Sequence, residues 1–173
     1  MDWMETTMTK ETRNEGIPFR IHLLRAANPL ILKLLGSRLH FLLSKDLLVA
    51  SYRGRRSGKS FSTPLSYVQV GDSLYACTRP SVANWWRNMR DGVPIEIVWR
   101  GRPTEAVATL LDSSGEEARA GFREFLSQNP GTASLLYHVE VAKGGLVRDE
   151  DLRREIKDSI VVRIEPGSTA TSA

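Results

Sequence analysis

The apolar positions of this chain follow two different periods, and the change comes near residue 46. From Phe19 to Leu48, leucine and isoleucine recur every three or four residues, with Arg25, Lys33, Arg38 and Lys45 between them. Pro29 divides this stretch and Gly36-Ser37 offers a second break, so the spacing predicts two or three short amphipathic helices. From Asp46 onward the apolar runs are short and bounded by turn residues. Leu47–Tyr52, Ser62–Val70, Leu74–Thr78, Ile95–Trp99, Thr104–Leu111 and Ile160–Ile164 fit strands. Gly71-Asp72 and Arg100-Gly101-Arg102 mark tight turns between them. Val82–Arg90 fits a short helix, Ser113 and Glu116 a capping box opening a helix through Phe125, and Asp149–Asp158 a charged helix. Asn129–Gly145 is ambiguous. Six strands joined by hairpins predict an α+β protein that is mainly β, a small antiparallel barrel with helical additions.

The same pattern sets the domain plan. Residues 1–16 form a polar tail with no apolar core of its own, unlike a signal peptide. Residues 17–45 carry the amphipathic helices, 46–165 the barrel, and 166–173 a second tail. No run approaches 18 apolar residues, so no bilayer-spanning helix is expected. With one cysteine, Cys77, a disulfide framework is excluded, and a cytoplasmic location fits. The three histidines are widely spaced, so no metal site is expected.

Charge changes the picture more. Between Pro18 and Ser60 nine basic residues face only Asp46, a net +8, while the rest of the chain carries −4. One third of the chain is therefore suited to anions. The leucine-rich part of that window, residues 18–45, is compatible with packing on the domain or with peripheral contact on an anionic membrane at the inner face of the cell. Nucleic acid is not expected, because the basic residues alternate with leucine and not with exposed stacking aromatics.

The most informative local run is Gly54-Arg55-Arg56-Ser57-Gly58-Lys59, between two strands. Glycine allows close backbone approach, arginine meets phosphate through paired hydrogen bonds, and Ser57 adds a hydroxyl. The spacing matches neither a Walker A loop nor a dinucleotide fingerprint. A solvated hairpin tip remains the plain alternative. Trp85 and Trp86 are adjacent and cannot share one helix face, so one is expected in the core, and the other either free to stack on a ring or packed in the core as well. Tyr67, Tyr75 and Cys77 are expected to serve packing.

Taken in order, this run, then Thr63-Pro64-Leu65, Tyr67-Val68, Gly71-Asp72-Ser73-Leu74-Tyr75, Asn84-Trp85-Trp86-Arg87-Asn88-Met89 and Arg100-Gly101-Arg102, resembles the deazaflavin-dependent nitroreductase family of the flavin/deazaflavin oxidoreductase superfamily. The resemblance covers roughly Asn28 to Leu111. It implies a split β-barrel related to the pyridoxamine-phosphate oxidase fold, the FMN-binding split barrel. It also implies a bound deazaflavin, coenzyme F420, with FMN as second choice. The implied activity is that of a nitroreductase or quinone reductase, hydride passing from the reduced coenzyme to a small apolar substrate. By the same resemblance Arg55, Arg56, Ser57, Gly58 and Lys59 hold the phosphate tail, and Thr63, Pro64 and Leu65 line the cofactor groove. Trp85, Trp86 and Asn88 flank the cofactor. Thr78, Arg79 and, more loosely, Tyr137 fall at catalytic or substrate-side positions. Association with membranes through the N-terminal segment and a homodimer belong to the same implication. Two departures stand out. Ser60-Phe61 replaces the Pro-Arg of the family's coenzyme binders, and the stretch from Thr78 to Trp85 is short. They keep a second reading open, a non-redox split-barrel protein holding a lipid, haem-like or other anionic ligand.

Overall fold

The computed structural model describes residues 47–167, which form one curled antiparallel sheet with helices on part of its outer face. The seven strands are β1 (Leu47–Arg53), β2 (Ser60–Ser66), β3 (Val68–Val70), β4 (Ser73–Thr78), β5 (Val93–Trp99), β6 (Arg102–Leu110) and β7 (Ile160–Pro166). They pair in the order β2-β1-β5-β6-β7-β4-β3. The three helices are α1 (Glu116–Gln128), α2 (Pro130–Tyr137) and α3 (Asp149–Glu155), and a 3-10 turn covers Trp85–Asn88. The basic, leucine-rich segment 17–45, with His22, His40 and the membrane-surface expectation, lies outside the described residues. Among the described residues no helix is long and apolar enough to cross a membrane.

Alternation along the strands separates two cores. Leu48, Ala50 and Tyr52 of β1 point into the curl of the sheet, as do Leu74 and Ala76 of β4, Ile95 and Ile97 of β5, Ala106 and Ala108 of β6, and Val162 and Ile164 of β7. Small residues on β1, β4 and β6 leave room for Trp85, Trp86 and Met89 to close that interior. The opposite faces of β4 and β7 send Tyr75, Cys77 and Val161 into a second core with Phe122, Phe125, Leu126 and Tyr137 of the helices. Side chains alternate faces in a strand, so each of these strands serves both cores. Gly121 permits the closest approach: a Cβ there would meet the Tyr75 ring at 2.3 Å. At the far end of β4, Arg79 pairs with buried Glu155 of α3 and places its guanidinium 5.3 Å from the Tyr137 ring centre.

Several expectations shift in detail. The stretch 62–70 is two strands, because the chain turns at Tyr67, whose buried hydroxyl accepts a hydrogen bond from Trp99 Nε1 at 3.0 Å. The two residues Arg100 and Gly101, at φ 51° and 75°, make the β5–β6 turn, as hairpin twist requires. The capping box is absent. Gly115 is the N-cap of α1, and Asp112 instead accepts the Ser114 N–H at 2.9 Å, which holds its carboxyl below the usual range. The Val82–Arg90 segment is helical only over its four-residue 3-10 turn. The ambiguous stretch contains α2, begun by Pro130 at a first-turn position where its missing N–H costs nothing. β7 continues to Pro166, opposite Ala106, and Gly167 N–H donates to Glu105 O at 2.7 Å, so the sheet reaches past the expected boundary at 165.

Candidate functional site

The basic run folds as a closed loop. Gly54 N–H donates to Lys59 O and Gly58 N–H to Gly54 O, both at 2.8 Å, while Lys59 N–H reaches Ser57 Oγ at 3.3 Å. Gly58 sits at φ 64°, a conformation that favours glycine. Gly54 is needed for a different reason. A Cβ there would lie 2.7 Å from the Phe61 ring and 2.8 Å from Ser57 Oγ. The loop is tied to the tryptophan turn through Asn88, whose Oδ1 accepts the Arg55 N–H at 3.1 Å and whose Nδ2 donates to Trp85 O at 3.3 Å.

Two hollows meet at Tyr52, Phe61 and Asn84. One, the more apolar of the two although Thr63, Ser66, Thr78 and Thr132 also line it, is about 670 Å3 and lies between β2, the end of β4 and α2. Thr63, Pro64 and Leu65 form one wall, Cys77, Thr78 and Trp85 the floor, and Leu135 and Leu136 of α2 the far side. The other is a basic cleft of about 850 Å3, bounded by Arg55, Arg56 and Ser57 on the loop side and by Trp86, Arg87 and Arg90 on the turn side. Phe61 is 44% exposed at their junction, its ring 6.0 Å from that of Tyr52 and nearly parallel to it. The Tyr52 hydroxyl is 3.2 Å from Thr63 Oγ1, which fixes the ring at the base of the junction.

Most of the residues singled out in the sequence come together here. Arg55, Arg56, Ser57, Trp86 and Asn88 border the basic cleft, and Thr63, Pro64, Leu65, Thr78 and Trp85 the apolar one. The adjacent tryptophans are both buried, one bordering each hollow, so of the two alternatives the one in which both pack in the core matches. Gly58 and Lys59 shape the loop but line neither hollow. Arg79 and Tyr137 also lie outside the lining. Arg79 is engaged by Glu155, and Tyr137 is fully buried in the helical core, its hydroxyl without a hydrogen-bond partner and held protonated by burial. Cys77 is likewise buried, and burial pushes its thiol well above the ordinary value. Sequence reasoning did not find Arg87 and Arg90, or the α2 wall of Gly131, Thr132, Leu135 and Leu136. Arginines three apart beside two tryptophans were a readable signal for the first; Asn129-Pro130, a helix start, was the signal for the second.

No protein-family model matches the chain, and no curated protein matches it. Solved structures do. One is a chain solved as a domain-swapped dimer, 16% identical, covering 84% of this chain and 99% of its own, with a TM-score of 0.50. Another is an F420-H2 dependent reductase, 16% identical over 70% of this chain and 95% of that one, TM-score 0.47. A third is HutZ, the heme storage protein of Vibrio cholerae, 11% identical over 74% and 86%, TM-score 0.47. At these identities the likeness is one of fold alone: a curled, seven-stranded antiparallel half-barrel with a few helices, the architecture expected of a split barrel.

Proposed function

We propose that the chain is an oxidoreductase that holds a flavin-type coenzyme across the two hollows, a deazaflavin before FMN, and reduces an apolar acceptor such as a quinone or nitroaromatic. The observation that supports this most is the continuity of an apolar hollow with an arginine-lined cleft through the Tyr52–Phe61 junction. A flat heteroaromatic ring carrying an anionic tail has that division of polarity, so the donor set fits the group. Arg55, Arg56 and Ser57 would hold the tail, and Thr63, Pro64, Leu65 and Trp85 would flank the ring. A reduced deazaflavin, when bound, supplies hydride.

The chain's own part is binding, orientation and exclusion of water. Arginine contacts remote from the ring contribute binding energy that positions it. Trp85, fixed in the core, would give the ring a rigid floor, and Thr78 borders the same hollow. Leu135 and Leu136 leave an apolar wall for the acceptor. Arg79 and Tyr137 take a positioning role, holding α3 and α2 against the end of β4.

A fluorescence-quench titration of the full chain with deazaflavin, and with FMN beside it, tests this reading. Saturable deazaflavin binding is expected, weakened about tenfold or more in Arg56→Ala. Failure to bind either coenzyme would overturn it. A second reading, a carrier of an anionic apolar ligand without redox chemistry, draws support from Phe61, an apolar ring at the junction of the two hollows. A co-purified chromophore that no acceptor oxidises or reduces would put that reading first.

A further inference from the structure

On the outside of the curl the two halves of the sheet differ. α1 packs on β3, β4 and β7. The outside of β1, β5 and β6 instead carries a groove of about 870 Å3 in which no described helix takes part. We propose that residues 17–45 of the same chain, which lie outside the described residues, dock along this outer face, their basic side chains on its acidic row and their leucines on its apolar positions. The inference goes beyond the redox reading and does not depend on it.

The first argument is a burial that the two cores do not explain. Val49 of β1 points out of the curl, since Leu48 and Ala50 on either side of it point in. It is 6% exposed, yet it belongs to neither core. Its ladder partners on that face are Pro64 and Val98, both half-buried. These short side chains stand beside Val49 and not over it, so its cover comes from outside the two cores. The chain enters the sheet at Leu47, opposite Ser66, so residues 17–45 lead straight onto this face. A segment joined at that point closes only a short loop, which costs little entropy. Its length suffices: β1 spans about 20 Å from Leu47 to Arg53, and residues 17–45 reach ~44 Å as helix.

The second argument is charge. Glu96 of β5 stands directly opposite Glu105 of β6, and both are exposed on this face. Like charges at opposed positions repel, and neither carboxylate has an ion pair among the described residues. Residues 18–45 carry Arg20, Arg25, Lys33, Arg38 and Lys45 and no acid, so a cation from them relieves that repulsion. The apolar share matches as well. Val107, 42% exposed, lies opposite Pro94, and Val93 lines the same groove. A second copy presenting the same face brings more carboxylates, and an anionic membrane is repelled by them, so the basic segment is the occupant that fits. The groove shares Tyr52 and Phe61 with both hollows, which puts the docked segment beside the candidate site.

The test is limited trypsin digestion of the full chain in dilute solution, read by mass spectrometry. Cleavage after Arg20, Arg25, Lys33 and Arg38 is expected to run about tenfold or more slower than after Lys10 and Arg13, in the stretch expected to be a tail. Glu96→Lys/Glu105→Lys reverses the acidic row and should speed the four cleavages about fivefold or more. Val107→Asp, on the apolar part of the groove, should do the same by about as much. Cys77 is the chain's single cysteine and is buried, so its continued resistance to maleimide shows that a variant keeps the barrel. Where one variant exposes Cys77, the other decides. Equal rates in tail and segment of the unaltered chain, or unchanged rates in the folded variants, overturn the docking. So does protection that grows with protein concentration, which means a second copy on the face. Protection that appears only with phosphatidylglycerol vesicles means a membrane, and overturns it too.

Discussion

The two ends of the groove share the Tyr52–Phe61 junction but are built in opposite ways. The basic end uses two nearby segments, 54–57 and 84–90, and its charged side chains are exposed on loops. The apolar end uses β2, the tip of β4, the 82–85 turn, α1 and α2, and much of its lining is also core. Binding at the first end is separable from stability, because exposed charges contribute little to folding. Binding at the second is not, because the same side chains hold sheet and helices together.

The sharpest way to break this contrast is Phe125→Ala. Phe125 is fully buried in the helical core and borders the apolar hollow, so the change should cost about 3–5 kcal/mol in urea unfolding. A cost below about 1 kcal/mol would mean that the apolar end is not part of the core. Gly54→Ala tests the junction. Its new methyl must displace Phe61 or Ser57, and about 1–2 kcal/mol is expected together with weaker anion binding. Intact stability and affinity would show that the loop yields easily. Gly131→Ala goes the other way. No atom lies within 4 Å of the added Cβ, so about 0.4–1 kcal/mol of stabilisation is expected from the unfolded chain's lost freedom, read as a rise in melting temperature. The smallest effect on folding belongs to Arg56→Gln, within about 0.5 kcal/mol, although tail affinity should fall. A large loss of stability there would erase the distinction between the ends. Cys77 gives a chemical check: its buried thiol should resist maleimide at neutral pH until the protein unfolds.

How much of this was legible in the sequence depends on how local each feature is. The loop Gly54–Lys59, the turns at Gly71-Asp72 and Arg100-Gly101, and the strand alternation were readable because neighbouring residues carry their cause. Tyr137 was not. Its sequence position allows a groove tyrosine, but α2 turns it inward against Phe122, at 5.1 Å between ring centres. The partner of Arg79 was illegible for the same reason, since Glu155 lies 76 residues further on.

By itself the sequence determined an antiparallel, mainly β barrel with helical additions, a basic glycine loop between its first two strands, and an aromatic turn after the strand that ends at Thr78. Alternation, turn chemistry and charge are short-range properties, so one chain suffices to state them. Tertiary structure alone decided that the loop and the turn face each other across one cleft, that β4 serves two cores, and that α2 walls the apolar hollow. Those facts depend on the order β2-β1-β5-β6-β7-β4-β3, in which strands far apart in the chain become neighbours through curl and register.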